Sequence, residues 1–426
     1  MSQQLPTTTP DVRSRLRVSV LDGCGWAAMV GTGEMYIPAF ALATGAGEVA
    51  GGLIATIPML IGALLQLLSI WGVRRLRSHR RWVVFSAITQ SASFLPFVVV
   101  AAVGQAPVWL LFAMAALYWG SGLATGGAWT TWITSLVPLE RRARFFAFRA
   151  RCLHATTLVS MLVAGFWLHN THDQRDRLWV FAALFAVACV GRAVSAALLW
   201  SLPEPEPLPS GHRTVPPAEF LRRLRHGPDG RLIAYMFAFQ FAGFILQPFI
   251  TPYALEGLHF SYQQFTLLIA APFVARAIGL IWLGRMAHSA GPTRVLLIGG
   301  LGHAPMALLW VLHDGPVYLV LVQALSGLIF AAYELSSLLL IFERMNSAER
   351  TGLITYYNLS NALAVALGSL VGGFVLSLVG ESGTGYRTVF LVALAARLAT
   401  LPLLRGVVRA SVGTAPAQQQ QHEQRE

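Results

Sequence analysis

The side chains of this sequence that could do chemistry are a few ionisable and polar groups set inside long apolar runs. Glu34 stands in GTGEMYIPAF, Arg276 in APFVARAIGL and Glu334 in AAYELSS. A charge in such a run costs about 2.5–3.5 kcal/mol to place at the centre of a bilayer, so it turns to a protein interior and finds a partner. Glu34 is the leading candidate for a carboxylate that takes up a proton or touches a bound solute. The competing reading is an acid paired with a neighbouring helix. Tyr36 lies beside it, and Gly31, Gly33 and Pro38 flank it, favouring close backbone approach and a missing helical hydrogen bond. Arg276 could bind an anionic group or pair with Glu34 or Glu334. Glu334 could couple or gate, or join two helices. Tyr118, Trp119 and Trp129 crowd one run with Trp132; cavity lining competes there with helix packing.

Other polar residues read as structural. Arg192 and Arg397 sit at matching depth in two runs, where snorkelling or pairing with loop acids is expected. Asp22, near the start of its run, should cap it or pair with a loop Arg. His154 and His303 are lone histidines without metal-ligand spacing, so packing outweighs proton relay. Cys24, Cys152 and Cys189 are scattered and read as buried thiols. No GxxxxGK[ST] loop and no Ser/His/Asp set stands out. ATP is therefore unsupported as an energy source, and neither an enzyme nor a cofactor or metal is expected.

The elements that must position these groups are long apolar helices. Of 426 residues, 55% are hydrophobic and 12% charged, about half the charge of a typical soluble domain. Apolar runs predict helices over 18–42, 49–73, 82–103, 108–137, 152–169, 178–202, 231–255, 265–286, 294–313, 316–341, 353–380 and 387–404, most of them long enough to cross a bilayer. The fold class is an all-α membrane protein of twelve spans. The first run is too long for a cleavable signal. All 31 basic residues are Arg. Loops and tails on the side of the termini hold 25 of them and the opposite loops hold Arg175, Arg177 and Arg387. The termini are thus predicted to be cytoplasmic, and the basic charge marks topology, not nucleic acid. The chain divides into a tail over 1–17, a six-helix bundle over 18–202, a cytoplasmic proline-rich linker over 203–230, a second bundle over 231–409 and a low-complexity tail over 410–426.

The two bundles repeat each other at an offset of roughly 210 residues. LERRARFFAFRARCLHATTLVSMLVAGF from Leu139 aligns without gaps on SAERTGLITYYNLSNALAVALGSLVGGF from Ser347, pairing Arg142 with Arg350. YIPAFAL mirrors ITPYAL, Pro58 mirrors Pro272, and Glu34 falls opposite Gln247. Parallel six-span repeats imply a pseudo-two-fold axis along the membrane normal, and helices interrupted at matching places point to a central site.

With these features the chain resembles the major facilitator superfamily from Val18 to about Arg409. That family carries G-xxx-D-R-x-G-x-R-R in the loop after the second span. Here GVRRLRSHRRW matches at Gly72, Arg77 and Arg81, with Leu76 in place of the acid. GRMAHSAGPTR matches at Gly284, Gly291 and Arg294, with His288 in that place. Both copies lack the carboxylate that helps latch the loops. These residues, with Arg142 and Arg350, are the gating-loop candidates. The resemblance to uncharacterised bacterial members implies a secondary transporter in the cytoplasmic membrane. It would be a monomer in the lipid bilayer, moving a small solute by alternating access with protons as coupling ion. An uncoupled uniporter or exchanger, and a non-transporting receptor or assembly factor, stay open.

Overall fold

The computed structural model describes residues 9–66, 68–137, 139–171, 173–204, 219, 222, 230–344 and 350–409. Every regular element among them is helical. Most of the expected linker and the whole tail over 410–426 lie outside the described residues. The chain forms two compact units, residues 1–208 with 261–266 and residues 209–260 with 267–426.

In the first unit α1 spans Thr9–Thr32, followed by a 3-10 turn at Glu34–Tyr36 and α2 at Ile37–Ala43. Then come α3 (Glu48–Leu53), α4 (Ile57–Leu65), α5 (Leu68–Leu76), α6 (His79–Ala92) and α7 (Phe94–Val103). The unit continues with α8 (Val108–Leu136), α9 (Leu139–His169) and α10 (Gln174–Ser201). The second unit holds α11 (Gly230–Phe244), α12 (Tyr262–Ala290), α13 (Pro292–Leu312), α14 (Pro316–Arg344), α15 (Arg350–Val379) and α16 (Gly383–Ala399).

The internal repeat reappears as repeated packing. In the first unit α1 packs on α9 and α10, α6 on α8, and α6 and α7 on α10. In the second, α11 packs on α15 and α16, α13 on α14, and α13 on α16. Small residues permit the closest crossings. A Cβ on Gly31 would lie 2.5 Å from the Thr157 carbonyl oxygen, and one on Gly372 would lie 2.1 Å from that of Ile245. The helices α1 and α9, and likewise α11 and α15, therefore meet backbone to backbone.

Among the described residues, eleven segments are long and apolar enough to cross a membrane. Their outward faces are apolar too; Val99, Phe166 and Trp282 are each more than half exposed, as suits lipid-facing side chains. This is a multi-pass helical membrane protein. Two expectations need correction. The first helix begins at Thr9, ahead of 18, because Arg and Leu carry good helix propensity beyond the apolar run. The expected span over 49–73 is broken into α3, α4 and α5; Pro58, lacking an N–H, sits in the first turn of α4, where no donor is needed. Its repeat mate Pro272 lies inside an unbroken α12. There a Cβ on Gly327 of α14 would sit 2.5 Å from the Pro272 carbonyl oxygen, so a glycine admits the proline turn.

Candidate functional site

Both units interrupt their first long helix at the same place. After Thr32 the chain leaves α1, and Glu34 opens a 3-10 turn that leads into α2 with Pro38 in its first turn. After Phe244 the chain leaves α11, and Gln247 opens a 3-10 turn containing Pro248. A helical turn over Ile250–Pro252 and a π turn over Tyr253–Gly257 follow. The prolines remove backbone donors, and a broken helix at mid-membrane is tolerated where it is buried or lines a cavity. Glu34 and Gln247 thus occupy equivalent positions.

In the first unit Glu34 accepts a hydrogen bond from the Tyr118 hydroxyl on α8. The Gln90 side chain neighbours the Tyr118 hydroxyl. The Gln90 carbonyl accepts from Arg192 Nε at 2.8 Å, and Arg192 Nη1 donates to Ser195 Oγ at 2.8 Å. Ser195 donates to Asp22 at 2.7 Å, and Arg149 donates to the other Asp22 oxygen at 3.3 Å. Arg149 also donates to the Ser19 carbonyl and lies 4.3 Å over the Trp129 ring. One acid, Asp22, and two guanidinium groups are therefore linked through Ser195, as buried charges require. Asp22 pairs with an Arg as expected. Arg192 does not snorkel; it is 3% exposed and held by α6 and its own helix. Gln90 and Ser195 had passed unremarked, although an amide inside an apolar run was a legible signal.

The aromatic candidates divide by contact. Tyr118 serves as donor to Glu34, Trp119 packs edge-on against Tyr118, and Trp129 is a platform for Arg149. Tyr36 is fully buried, its hydroxyl donating to the Met161 carbonyl at 2.7 Å, which ties the 3-10 turn to α9.

The second unit contains an open cavity of about 250 Å³, lined from α11, α12, α13, α14 and α16 and reaching Gln247. Arg276 lies on its wall and pairs with Glu334, so of the two partners considered for Arg276 the one in its own bundle is used. Its guanidinium also sits 5.4 Å over the Phe330 ring. Glu334 is 52% exposed and does not line the cavity. His303 and Arg397 do line it, which the sequence had not distinguished from packing residues. Among the described residues no cluster of metal-ligating side chains occurs.

The loop candidates occupy helix junctions. Gly72 faces Trp82 so closely that a Cβ there would lie 2.1 Å from the indole. Arg77 adopts φ 49° at the end of α5, and Gly291 adopts φ 83° before α13. Arg81 contributes its backbone N–H to Ser78 Oγ at 3.0 Å. Gly284 and His288 lie in the last turns of α12, and Arg294 opens α13 with its side chain exposed. Arg142 and Arg350 lie on helices, but their side chains fall outside the described residues. A carboxylate from beyond α10 reaches this junction. Glu204 accepts from Ser78 Oγ and from the backbone N–H groups of His79 and Arg80, capping α6 with a carboxylate where the helix dipole favours one.

With the geometry described, the class follows: a repeat of six-helix bundles with broken first helices. Residues 232–424 match the family model described as Major Facilitator Superfamily, so the second half carries that family's sequence pattern. Solved structures share the fold across nearly the whole chain. A single-site mutant of the nucleoside transporter NupG aligns with a TM-score of 0.68 at 15% identity, covering 94% of this chain and 99% of its own. A peptide transporter POT in complex with sulfate aligns at 0.71 and 14%, covering 93% and 95%. The xylose transporter XylE from E. coli aligns at 0.65 and 15%, covering 92% and 96%. No curated protein matches the sequence.

Proposed function

We propose that the chain is a secondary transporter that moves a small solute across the cytoplasmic membrane by alternating access, with protons as the coupling ion. The observation that carries this reading is the paired break that sets Glu34 and Gln247 at equivalent positions. Glu34 is an acid in a membrane span, hydrogen-bonded to a tyrosine that neighbours Gln90, itself part of a buried charge network. Protonation of Glu34 alters its bond to Tyr118 and so biases whichever conformation holds that bond more strongly. Similar structures include proteins described as a nucleoside transporter, a D-xylose-proton symporter and a peptide transporter, which supports transport as the common task of the fold. The reading includes a monomer with both termini in the cytoplasm.

Purified protein in liposomes loaded with a pH-sensitive dye tests it. A solute panel should contain a compound that drives proton movement across the membrane only when the protein is present. Glu34→Gln should reduce that proton movement about tenfold or more while the protein stays folded. Solute flux that ignores a pH gradient would leave an uncoupled carrier, and absence of any flux across the panel would count against transport.

A further inference from the structure

We infer that the cavity of the second unit is a binding site for a small organic monoanion, with a carboxylate on Arg397 and a flat apolar body among the aromatic side chains. The argument begins with the two pseudo-equivalent arginines. Arg192 has an amide, a hydroxyl and, through Ser195, the carboxylate of Asp22 around it. Arg397 is buried to a similar degree, 5% exposed. Its Nη1 donates to the His303 carbonyl at 3.2 Å, its Nε has no partner, and no described carboxylate pairs with it. The position equivalent to Asp22, at the spacing that relates Glu34 to Gln247, is Tyr235, whose buried hydroxyl also lacks a partner. The repeat has kept the cation and lost the acid.

An uncompensated guanidinium in a low-dielectric interior is costly, and a counter-charge relieves the cost. Space for one exists. Arg397 and His303 both line the 250 Å³ cavity, and His303 Nε2 is a second buried polar atom without a partner. Gly243 leaves room beside that atom, since a Cβ there would lie 3.4 Å from it. The other cation on the wall, Arg276, is already neutralised by Glu334, so the unmet charge belongs to Arg397. The rest of the wall selects the body of the ligand: Phe239, Phe244, Phe273, Phe330 and Trp310 surround the space, with Gln323 to receive a hydroxyl or carbonyl. A cavity of about 150 Å³ holds one benzene ring, so this one admits a single ring with its carboxylate. Arg is suited to that group because its planar fork meets a carboxylate with two parallel bonds.

The assignment deepens the transport reading by naming its cargo class, but binding is measured apart from flux. The full chain in lipid nanodiscs is titrated with benzoate, benzyl alcohol and acetate, read by calorimetry and by the fluorescence change of Trp310. Benzoate is expected to bind about tenfold or more tightly than either control, and Arg397→Gln should remove that preference while benzyl alcohol binding is unchanged. Trp310→Phe should abolish the saturable fluorescence change, which assigns that change to the cavity wall. If Arg397→Gln does not fold, the wild-type ranking of the three compounds decides alone. Equal affinity for benzoate and benzyl alcohol, acetate binding as tightly as benzoate, or no binding of benzoate would overturn the site. Benzoate binding without benzoate flux leaves the site standing and counts against the transport reading.

Discussion

The carboxylates of Glu34 and Asp22 lie on either side of the break that ends α1 and are held in different ways, and substitutions should separate them. Glu34 has a single tyrosine donor described, so replacing it changes protonation and little else. Tyr118→Phe removes that donor and should lower proton movement several-fold, less than Glu34→Gln does; the liposome assay checks the ranking. Asp22 is 2% exposed and serves Arg149 and Ser195 together. Asp22→Asn leaves two buried guanidinium groups short of a counter-charge and should destabilise the fold by about 3 kcal/mol, seen as a lower melting temperature in detergent. Glu34 and Arg276 were legible as chemistry-bearing residues because charge inside an apolar run is rare. The identity of their partners was not. Tyr118, Gln90 and Glu334 come from different helices, and only packing brings them into reach.

At the scale of elements, glycines decide where helices cross. Gly372→Ala places a methyl group 2.1 Å from the Ile245 carbonyl oxygen, and the backbone just past α11 cannot give way cheaply. That change should cost about 1–3 kcal/mol and lower the melting temperature. Gly406→Ala meets no atom within 4 Å and should be neutral or stabilise by about 0.4–1 kcal/mol, through the smaller entropy of the unfolded chain. Running both variants side by side in one thermal assay separates crossing from helix propensity. Helix α6 begins on a cap supplied from beyond α10. Glu204→Gln weakens three charge-assisted bonds there and should cost about 1 kcal/mol. The breaks at Glu34 and Gln247 were expected from the Gly and Pro spacing around them. The division of the second span into three helices was not, because proline in a sequence does not say whether a helix restarts or continues, as Pro58 and Pro272 illustrate.

For the whole molecule, the asymmetry of Arg between loops predicts orientation. A fluorescent protein fused to the C-terminus should fold and fluoresce in the cytoplasm, and alkaline phosphatase fused there should be inactive; inserted between Asn170 and Asp173, the two reporters should exchange outcomes. The chain's own sequence determined the membrane environment, the helical class, the repeat and the candidate charges, because burial in lipid demands long apolar runs and makes every polar interruption visible. What only the tertiary structure decided is which charges are satisfied. Arg192 and Arg397 look equivalent along the chain, yet one is surrounded by partners and the other faces an open cavity. A side chain's neighbours are set by helix crossings between distant segments, and electrostatic balance depends on those few ångströms, which residue order does not encode position by position.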